Sequence, residues 1–285
     1  MEIKQSAGEK IFEGIIVFLL IVIILITLYP FVYVFSASIS DPKEVAAQNV
    51  WLLPKGFSLE SYRMAFENPD LWQSYYNTIW YTVVGTALNV LVTVIGAYPL
   101  SRKDFFGKNF FMVFIAITMF FSGGLIPMFI LVKNLNLYNT RWALILPGLV
   151  TTWNLIIARV YFQSSIPESL PEAAKIDGCT DIGILFKIVL PLSTPILAVL
   201  TLYYAVGHWN SYFNALIYLA DRKLQPVQIY LMKVLIEQSE EALGGMEGVS
   251  SRSMYAVQMR YTIIIIVILP ILCFYPFLQK YFVKG

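Results

Sequence analysis

Charged residues are scarce in this sequence. Only 13% of its 285 residues are charged, while 58% are hydrophobic, and soluble domains average about a quarter charged residues. A composition this apolar indicates a membrane protein. The formal net charge of +2 is too small to suggest nucleic acid as a partner, and no basic cluster interleaved with aromatic residues occurs.

Residues that bind metals or perform catalysis are equally scarce. The two cysteines, Cys179 and Cys273, have no cysteine neighbours, which argues against a disulfide framework. A single histidine, His208, argues against a structural zinc site. There is no GxxxxGK[ST] phosphate-binding loop, no pair of catalytic carboxylates and no Ser-His-Asp set. We therefore expect a chain that is not an enzyme and that holds no metal or cofactor.

Apolar runs, in contrast, are abundant and long enough to cross a bilayer, which takes about 20 helical residues. We predict an all-α, polytopic membrane protein with six transmembrane helices. The first run is too long for a signal-peptide core of about 7 to 15 residues. The predicted spans are residues 11–35, 75–100, 109–132, 142–162, 192–220 and 261–281. They follow a short N-terminal segment, 1–10, and make 11–285 one domain with loops 36–74 and 221–260 on one side and loop 164–191 on the other.

Polar and helix-breaking residues interrupt two of these runs. In the second span, Asn77, Thr78 and Asn89 are expected to turn inward or to pair across helices, because lipid offers them no partner. In the third span, Gly123 and Gly124, followed by a proline, predict a break or bend. Non-helical backbone at membrane depth is tolerated only where it is buried in protein or lines a cavity. Packing within the chain, a subunit interface and a solute pathway are all compatible with such a break.

The loop at 164–191 begins with a signal for a short helix. Ser169, followed three residues later by Glu172, is typical of a capping box, which predicts a helix starting at about Leu170. Gly178 can adopt the left-handed backbone conformation that ends this helix. The sequence therefore predicts a sharp bend at that glycine.

A second short helix should follow the bend. Thr180 or Asp181 can cap its start, and Pro191 is expected to close it after Leu190. Its apolar residues recur at helical spacing, which predicts one apolar face. These residues are Ile182, Leu185, Phe186 and Val189. Two short helices joined by a bend make a compact, partly apolar shape suited to a groove on another protein.

The same stretch resembles the EAA loop of the membrane subunits of ABC importers. The resemblance rests on Glu172, Ala173, Ala174, Gly178, Ile188, Leu190 and Pro191 at the spacing of that motif. SGGLIP at 122–127, LILPG at 144–148 and GHWNSYF at 207–213 are similar to carbohydrate-importer permeases, in particular to maltose-permease-like proteins of the branch that handles complex oligosaccharides. The resemblance covers nearly the whole chain. The alternative is an ordinary amphipathic loop between two spans.

This resemblance implies an ABC importer type I permease fold and a non-catalytic permease subunit that imports an oligosaccharide. It implies four partners: a second homologous but non-identical permease subunit, a cytoplasmic ATPase dimer that binds ATP and Mg, an extracellular solute-binding protein, and the lipid bilayer. It also implies a bacterial cell membrane location with both termini and the EAA loop in the cytoplasm. Counting Lys and Arg does not decide the orientation, since each side receives ten.

By the same resemblance, the EAA loop couples the permease to the ATPase. The residues implied are Glu172, Ala173, Ala174, Asp177, Gly178, Phe186, Ile188, Leu190 and Pro191. Of these, Ala173, Ala174 and Phe186, together with Ile182, are expected to give contact area. Glu172 would stabilise the start of the helix, and Asp177 is either a solvent-exposed helix end or a polar contact.

The end of the fifth span concentrates aromatic and amide groups, which suit sugar rings and hydroxyls. The candidate pathway residues are Trp209, Asn210, Tyr212, Phe213 and Asn214. Asn210 and Asn214 are one helical turn apart and are expected to share a face. Helix packing or a subunit interface is the alternative explanation for this cluster.

Two external segments are candidates for contact with the binding protein. Gly244, Gly245 and Met246 lie in a glycine-rich stretch that corresponds to a loop of one maltose permease subunit, which enters the binding protein's sugar cleft. LPKGFSLESY at 53–62 resembles the segment of carbohydrate permeases that lies under the binding protein. A flexible loop and a passive connector are the respective alternatives.

Two other transport classes remain as alternatives. An ABC permease for a non-sugar solute would share the EAA loop and differ in its binding protein. A secondary transporter would need no ATPase and would typically carry ionisable groups at membrane depth. The centres of the predicted spans contain almost none.

Overall fold

The computed structural model describes residues 7–244 and 251–282 of the chain. Within these residues every regular element is helical, and one isolated antiparallel bridge joins Ser40 to Phe57. The prediction of an all-α protein is confirmed.

Fourteen α-helices form this part of the chain. They are α1 (Ala7–Ser38), α2 (Pro42–Ala46), α3 (Glu60–Glu67), α4 (Pro69–Ser101), α5 (Lys108–Phe120), α6 (Leu125–Asn134), α7 (Thr152–Ser165), α8 (Ser169–Ile176), α9 (Asp181–Ile184), α10 (Leu190–Leu192), α11 (Thr194–Trp209), α12 (Phe213–Tyr218), α13 (Val227–Gly244) and α14 (Ser251–Phe282). Three 3-10 turns lie at Arg141–Leu144, Leu146–Gly148 and Arg222–Leu224, and a π-helical turn at Leu185–Val189 separates α9 from α10.

Three helical stretches are long and apolar enough to cross a membrane unaided: Gly8–Ser38, Pro69–Ser101 and Met254–Cys273. Three further pairs pass the same test only when taken together across a bend. The bends are 114° between α5 and α6, 51° between the 3-10 turns at 141–148 and α7, and 86° between the α9–α10 segment and α11. Counting each pair as one span, the described residues hold up to six spans.

The 114° bend has the cause that the sequence indicates. Gly124 adopts φ +83° at the start of α6, and α5 has already ended at Phe120. A backbone conformation with positive φ is accessible to glycine at little cost. The predicted break in the third apolar run is therefore confirmed.

The chain divides into two compact units, the first of which comprises residues 1–69 and 231–269. Its described part is held together by Gln258 of α14, which is fully buried. The Gln258 amide donates to the carbonyls of Ser38 and Ser40 and accepts from the hydroxyl of Ser61 at 2.6 Å. The segment after α1 is thus attached to α14 by buried hydrogen bonds, rather than lying loose as a connector.

The second unit comprises residues 70–230 and 270–285, and α4 supplies most of its buried polar contacts. Asn77, Tyr81, Gly85, Asn89 and Thr93 follow one another four residues apart, and all five are buried. Residues at this spacing share one face of a helix. We call this face the α4 stripe.

Two apolar clusters lie at the two ends of the second unit. The first surrounds the loop at 164–191 and is built from Val94, Ala97, Leu155, Ala158, Phe162, Ala174, Ile184, Leu185, Val189, Ile196 and Leu200, among others. The second, at the opposite end, contains Tyr81, Val132, Ala143, Leu144, Ile145, Ala215, Tyr218, Leu219 and Ile229.

Candidate functional site

The candidate coupling element is the segment 169–192, which we call the knob. Its first helix, α8, ends in a left-handed turn at Gly178, where φ is +82°. The N–H of Cys179 donates to the carbonyl of Ala174 at 2.9 Å, and the N–H of Gly178 donates to that of Lys175 at 3.0 Å. These two bonds are a Schellman motif, which satisfies the last carbonyls of a helix. The bend predicted from Gly178 is confirmed.

The start of α8 differs from the prediction. Glu168 is the N-cap and already has helical backbone angles, no side chain caps the helix, and Ser169 lies inside it. The N–H of Leu170 donates to the carbonyl of Pro167 at 3.2 Å. Because Pro167 is fixed at a φ compatible with helix, the turn starts earlier than a capping box at Ser169 requires. The capping-box prediction is therefore wrong, and Glu172 is an exposed residue of the first turn.

The second half of the knob is longer than predicted. Thr180 caps α9, its hydroxyl accepting from the N–H of Gly183 at 3.2 Å. Pro191 does not close the helix, which continues to Leu192. A proline ring inside a helix clashes with the carbonyl four residues earlier, and the wider π-helical turn at Leu185–Val189 relieves that crowding. Sequence patterns of the α-helix alone do not predict this π-helical turn.

The knob presents two different apolar faces. Leu185 and Val189 are buried in the cluster that includes Ala174, whereas Ile182 and Phe186 are 71% and 47% exposed. The prediction that all four residues of the second helix share one face is wrong, since adjacent residues differ by about 100° around a helix. Ala174 is likewise a packing residue and not part of a contact surface.

The exposed apolar side chains of the knob form a different set from the predicted one. They include Ala173, Ile182 and Phe186, as expected, and also Ile176, which is 88% exposed. Ile188 and Leu190 are partly buried against the cluster, and Pro191 is exposed. Asp177 is exposed at the C-cap of α8. Large exposed apolar side chains on a charged segment are typical of an interaction surface.

Ion pairs connect the knob to the turn that follows α4. The ammonium of Lys175 lies 3.1 Å from Asp104 and 3.2 Å from Asp181, and that of Lys103 lies 2.8 Å from Glu168. The hydrogen bond from Lys175 lowers the pKa of Asp104, and the bonds to Asp104 and then Asp181 raise the pKa of Lys175. These groups are solvent-exposed, so the pairs orient the knob more than they stabilise the fold.

The candidate pathway residues do not lie on one helix. Asn210 is the C-cap of α11, residues 211–212 are non-helical, and α12 starts at Phe213. Because the helix ends between them, the prediction that Asn210 and Asn214 share a helical face is wrong. Asparagine side chains compete with the backbone for hydrogen bonds and favour such helix ends.

Burial separates these residues into two groups. Trp209 is only 8% exposed and packs edge-to-face on Tyr75 with ring centroids 6.3 Å apart, while Tyr212 packs against the second apolar cluster. Asn210, Phe213 and Asn214 are exposed. A role in the solute pathway stays a prediction for this group, and only its exposed members offer side chains to a solute.

Asn89, in the middle of the α4 stripe, is hydrogen-bonded to the break in the fourth apolar run, which lies between Gly148 and Thr152. The amide of Asn89 donates to the carbonyls of Gly148 and Leu149 at 2.9 and 2.7 Å. Its oxygen lies 2.6 Å from Nε2 of His208. Since the amide nitrogen already donates to two carbonyls, its oxygen must accept and Nε2 of His208 must carry a proton.

Tyr204 bonds to a further backbone group of this break. Its hydroxyl accepts from the N–H of Thr151 at 3.2 Å and lies 2.7 Å from the hydroxyl of Thr93. Backbone groups freed from a helix at membrane depth need such partners. Asn77, Thr78 and Asn89 all pair with other elements or with their own helix, as the sequence predicts.

Gly85 and His208 were not identified as a pair from the sequence. A Cβ added at Gly85 would lie 2.4 Å from Nε2 of His208, so the imidazole occupies the space that any other residue would fill. The sequence does carry an indication that Gly85 is a contact position, because it lies in the four-residue repeat from Asn77 to Thr93.

Near the start of α4, Arg141 is enclosed by aromatic rings. Its guanidinium lies 4.9 Å from the ring centre of Trp80 and 5.2 Å from that of Tyr76, and it donates to Asn77 at 3.1 Å. The Asn77 amide in turn donates to the carbonyl of Lys223 at 2.7 Å. This cation has both aromatic and hydrogen-bond partners within its own chain.

The break between α5 and α6 lies on the surface of the chain. Residues 121–126 are all exposed, including Phe121 at 76% and Ile126 at 71%. Packing within the chain therefore does not explain the break. At membrane depth, such backbone has to be covered by another protein chain or to line water.

The two candidate segments for binding-protein contact have different outcomes. Gly245 and Met246 lie outside the described residues, and Gly244 is the last residue of α13. The segment at 53–62 is described, and Leu53 and Phe57 in it are 78% and 74% exposed. Exposed apolar side chains of this kind suit a contact surface.

The fold and the knob together define a class of protein. An all-helical chain with up to six membrane spans, three of them bent, and with a knob that carries the EAA spacing, has the features of a membrane transport permease. The family described as "Binding-protein-dependent transport system inner membrane component" matches residues 89–285. This chain belongs to that family and is the permease component of an ABC importer.

Several relatives resemble the chain over nearly its whole length. The polygalacturonan/rhamnogalacturonan transport system permease protein YtcP of Bacillus subtilis is 42% identical, covering 97% of this chain and 96% of the relative. Protein LplC of the same organism is 41% identical over 91% of this chain and 88% of its own length. A crystal structure of a bacterial ABC transporter involved in the import of the acidic polysaccharide alginate contains a chain with a TM-score of 0.89 and 36% identity, covering 98% of this chain and 99% of that one.

Proposed function

We propose that this chain is one of two non-identical permease subunits of an ATP-driven importer for acidic oligosaccharides. A cytoplasmic ATPase dimer would bind ATP and Mg and supply the energy, and an extracellular solute-binding protein would deliver the sugar. Both termini and the knob would lie in the cytoplasm of a bacterial cell. The observation that carries the proposal is the knob, a two-helix projection with a left-handed bend at Gly178 and exposed apolar side chains.

The shape of the knob supports coupling to an ATPase. Ile176, Ile182 and Phe186 offer apolar area on a segment that is otherwise polar, which suits a groove on a partner. The buried side of the same segment, at Leu185 and Val189, ties it to the cluster around α4 and α11. Motion of the exposed side would therefore be transmitted to the membrane helices as a rigid movement.

A second permease subunit is supported by surfaces that this chain leaves uncovered. The bend at 121–124 exposes non-helical backbone in an apolar run, and lipid does not satisfy such backbone. A similar subunit packed on this face would cover it, and water in a shared pathway between the two subunits would satisfy the remaining groups.

An acidic substrate is supported by two of the proteins that this chain resembles. YtcP is named for polygalacturonan and rhamnogalacturonan, and the similar crystal structure is of an importer of the acidic polysaccharide alginate. Polygalacturonan and alginate are polymers of uronic acids, which carry one carboxylate per sugar ring. Oligosaccharides of uronic acids are therefore the substrate class that we infer.

The mechanism follows from reciprocal coupling between two sites. Docking of the loaded binding protein outside would favour closure of the ATPases inside, and closure would move the knob and open the pathway outward. Linkage requires the effect to be equal in both directions. Asn210, Phe213 and Asn214 are the exposed candidates for contact with the sugar during this opening.

Gly178 provides the test of coupling. Gly178→Ala places a side chain at φ +82°, which strains the bend, and we expect it to abolish sugar-stimulated ATP hydrolysis and uptake in an assembled complex. Gly107 has φ +78° outside the knob, so Gly107→Ala carries the same kind of backbone strain and is the matched control. Stimulated hydrolysis by the Gly178 variant at the wild-type rate would contradict the coupling role.

Purified complex in proteoliposomes tests the substrate class. We expect trigalacturonate, delivered by the cognate binding protein, to stimulate ATP hydrolysis more strongly and to be taken up faster than neutral oligosaccharides of the same length. Stimulation by neutral sugars alone would replace the acidic class with a neutral one. A complex without any ATPase would favour a secondary transporter.

A further inference from the structure

The last helix, α14, holds an arginine, Arg260, two of whose guanidinium nitrogens lack a hydrogen-bond partner within the described residues. Arg260 lies within Met254–Cys273, a helical stretch that is long and apolar enough to cross a membrane and that begins seven residues before the predicted sixth span, 261–281. Its Nε and Nη2 atoms are shielded from solvent and have no hydrogen-bond partner within the described residues. The side chain as a whole is partly exposed. An ionisable group with no compensating charge at membrane depth is expensive, so it is retained only where it has a use.

The two other arginines of the bent or unbroken spans show what a satisfied guanidinium looks like. Arg141 is stacked on two aromatic rings and bonded to Asn77. Arg159 donates from Nε to the carbonyl of Leu100 at 3.0 Å, where α4 ends. Both cations have hydrogen-bond partners in their own chain, whereas Nε and Nη2 of Arg260 have none among the residues that the structure describes.

The helix around Arg260 offers it no counter-charge. Its neighbours at three and four residues on the same helix are apolar: Ala256, Val257, Ile263 and Ile264. The sequence of α14 contains neither aspartate nor glutamate. A buried polar group without a partner costs on the order of 1 to 3 kcal/mol, and a charged one more.

We propose that Arg260 binds a carboxylate of the acidic oligosaccharide as it crosses the membrane. This inference rests on the proposed function and adds the residue that would recognise the charge. A guanidinium presents two parallel N–H donors to a carboxylate, a geometry that a neutral sugar hydroxyl does not match. The unsatisfied Nε and Nη2 are an adjacent pair of donors of this kind.

The positive charge of Arg260 would also stabilise an acidic substrate in the pathway. A uronate entering a low-dielectric pathway loses hydration, and a guanidinium with two free donors would offset part of that loss. Removing the positive charge should therefore slow acidic substrates and leave neutral ones untouched. A carboxylate from the second permease subunit could instead pair with Arg260, and the experiment below separates the two sources.

The test uses the whole complex in proteoliposomes with Arg260→Gln and Arg260→Lys. Uptake of trigalacturonate is compared with uptake of its methyl ester, which has the same rings and linkages without the carboxylates. Hydrolysis of ATP without sugar gives a substrate-independent readout. The control is Arg63→Gln, which removes the same charge from an exposed arginine that pairs with Glu67.

We expect Arg260→Gln to raise the half-saturating trigalacturonate concentration by about tenfold or more, as for other truncated charge pairs. Arg260→Lys should lose less, and Arg63→Gln should match wild type. Uptake of the ester and sugar-free hydrolysis should be unchanged. The thermal midpoint of Arg260→Gln should equal or exceed that of wild type, because the substitution removes an unpaired charge.

Three results would overturn the inference. One is equal loss of acid and ester uptake, a second is a lowered thermal midpoint or failed assembly, which would assign Arg260 to a subunit contact, and the third is no change at all. Failure of the proposed function has a different signature, since the wild-type complex would then not import trigalacturonate.

Discussion

Helices α1 and α4 have 32 and 33 residues, but they differ in mean hydropathy and in how much of each is buried within the chain. The spanning stretch of α1 has a mean hydropathy of 3.2 and is 0% buried within the chain, whereas that of α4 has a mean hydropathy of 1.8 and is 44% buried. The more apolar helix is the exposed one. Between these two helices, the more apolar one faces lipid or a partner, and the more polar one packs inside the chain.

This difference between α1 and α4 follows from the lipid that surrounds a membrane protein. Lipid tails are as apolar as a leucine side chain, so burying leucine against another helix gains little, whereas polar groups gain by finding one another. Along α4 the stripe from Asn77 to Thr93 makes such contacts, with carbonyls, hydroxyls and an imidazole as partners. Along α1, Thr27 bonds only to its own helix, at Ile23.

The largest effect is expected from adding a methyl group to α4 at Gly85, and the same addition to α1 at Gly14 is its control. Gly85→Ala on α4 places Cβ 2.4 Å from Nε2 of His208, while Gly14→Ala on α1 meets nothing within 4 Å. The imidazole cannot move aside without losing its bond to Asn89. We expect Gly85→Ala to lower stability by about 1 to 3 kcal/mol and to reduce uptake, and Gly14→Ala to change neither. Thermal unfolding of the purified complex and uptake in proteoliposomes measure both. Equal effects of the two variants would remove the distinction between the helices.

The next largest effect on stability is expected from removing the side-chain amide of Asn89. Asn89→Leu leaves the carbonyls of Gly148 and Leu149 and the imidazole of His208 without their partner. An orphaned buried group costs on the order of 1 to 3 kcal/mol; because these three hydrogen bonds are only part-buried, we expect their combined loss to cost no more than about 1 to 2 kcal/mol. The matched change on the exposed side of the same helix is Val83→Leu, at a residue that is 63% exposed. We expect a clear fall in thermal midpoint for Asn89→Leu and none for Val83→Leu. A stable Asn89→Leu variant would show that polar pairing does not hold α4 in place.

The smallest effect is expected outside both helices, at the exposed pair of Asp104 and Lys175. The Lys175 bond lowers the pKa of Asp104, so its stabilisation is present above the carboxyl's ordinary pKa and is lost as pH falls through the lowered value. The pKa of Lys175 is raised, so its stabilisation is present below the ordinary pKa and is lost as pH rises through the raised one.

Asp104→Asn should therefore lower the thermal midpoint slightly, by the same amount across neutral pH. The difference from wild type should shrink as pH falls below about 4, the ordinary pKa of the carboxyl, and vanish once pH has fallen through the lowered value. Asp177→Asn, which removes an acidic group outside this pair, is the control. A difference that varied between pH 5 and 9 would show that another group titrates with the pair.

Much of the architecture follows from the sequence alone. Length and composition indicate a helical membrane protein, and Gly124 and Gly178, whose positive φ demands glycine, lie at the two bends that the sequence predicts. The EAA spacing locates the knob. These features depend on residues that are neighbours in the chain, so local backbone chemistry is sufficient to predict them.

Other features were decided only by the tertiary structure. Asn89 and His208 are 119 residues apart in sequence, and periodicity gives a helix a face without naming what covers it. For the same reason the division of the knob into buried Leu185 and exposed Phe186, the π-helical turn that accommodates Pro191, and the separation of Asn210 from Asn214 were not predicted. The two unpartnered nitrogens of Arg260 among the described residues also belong here, because a polar atom is satisfied only by what the folded chain brings within hydrogen-bonding distance of it.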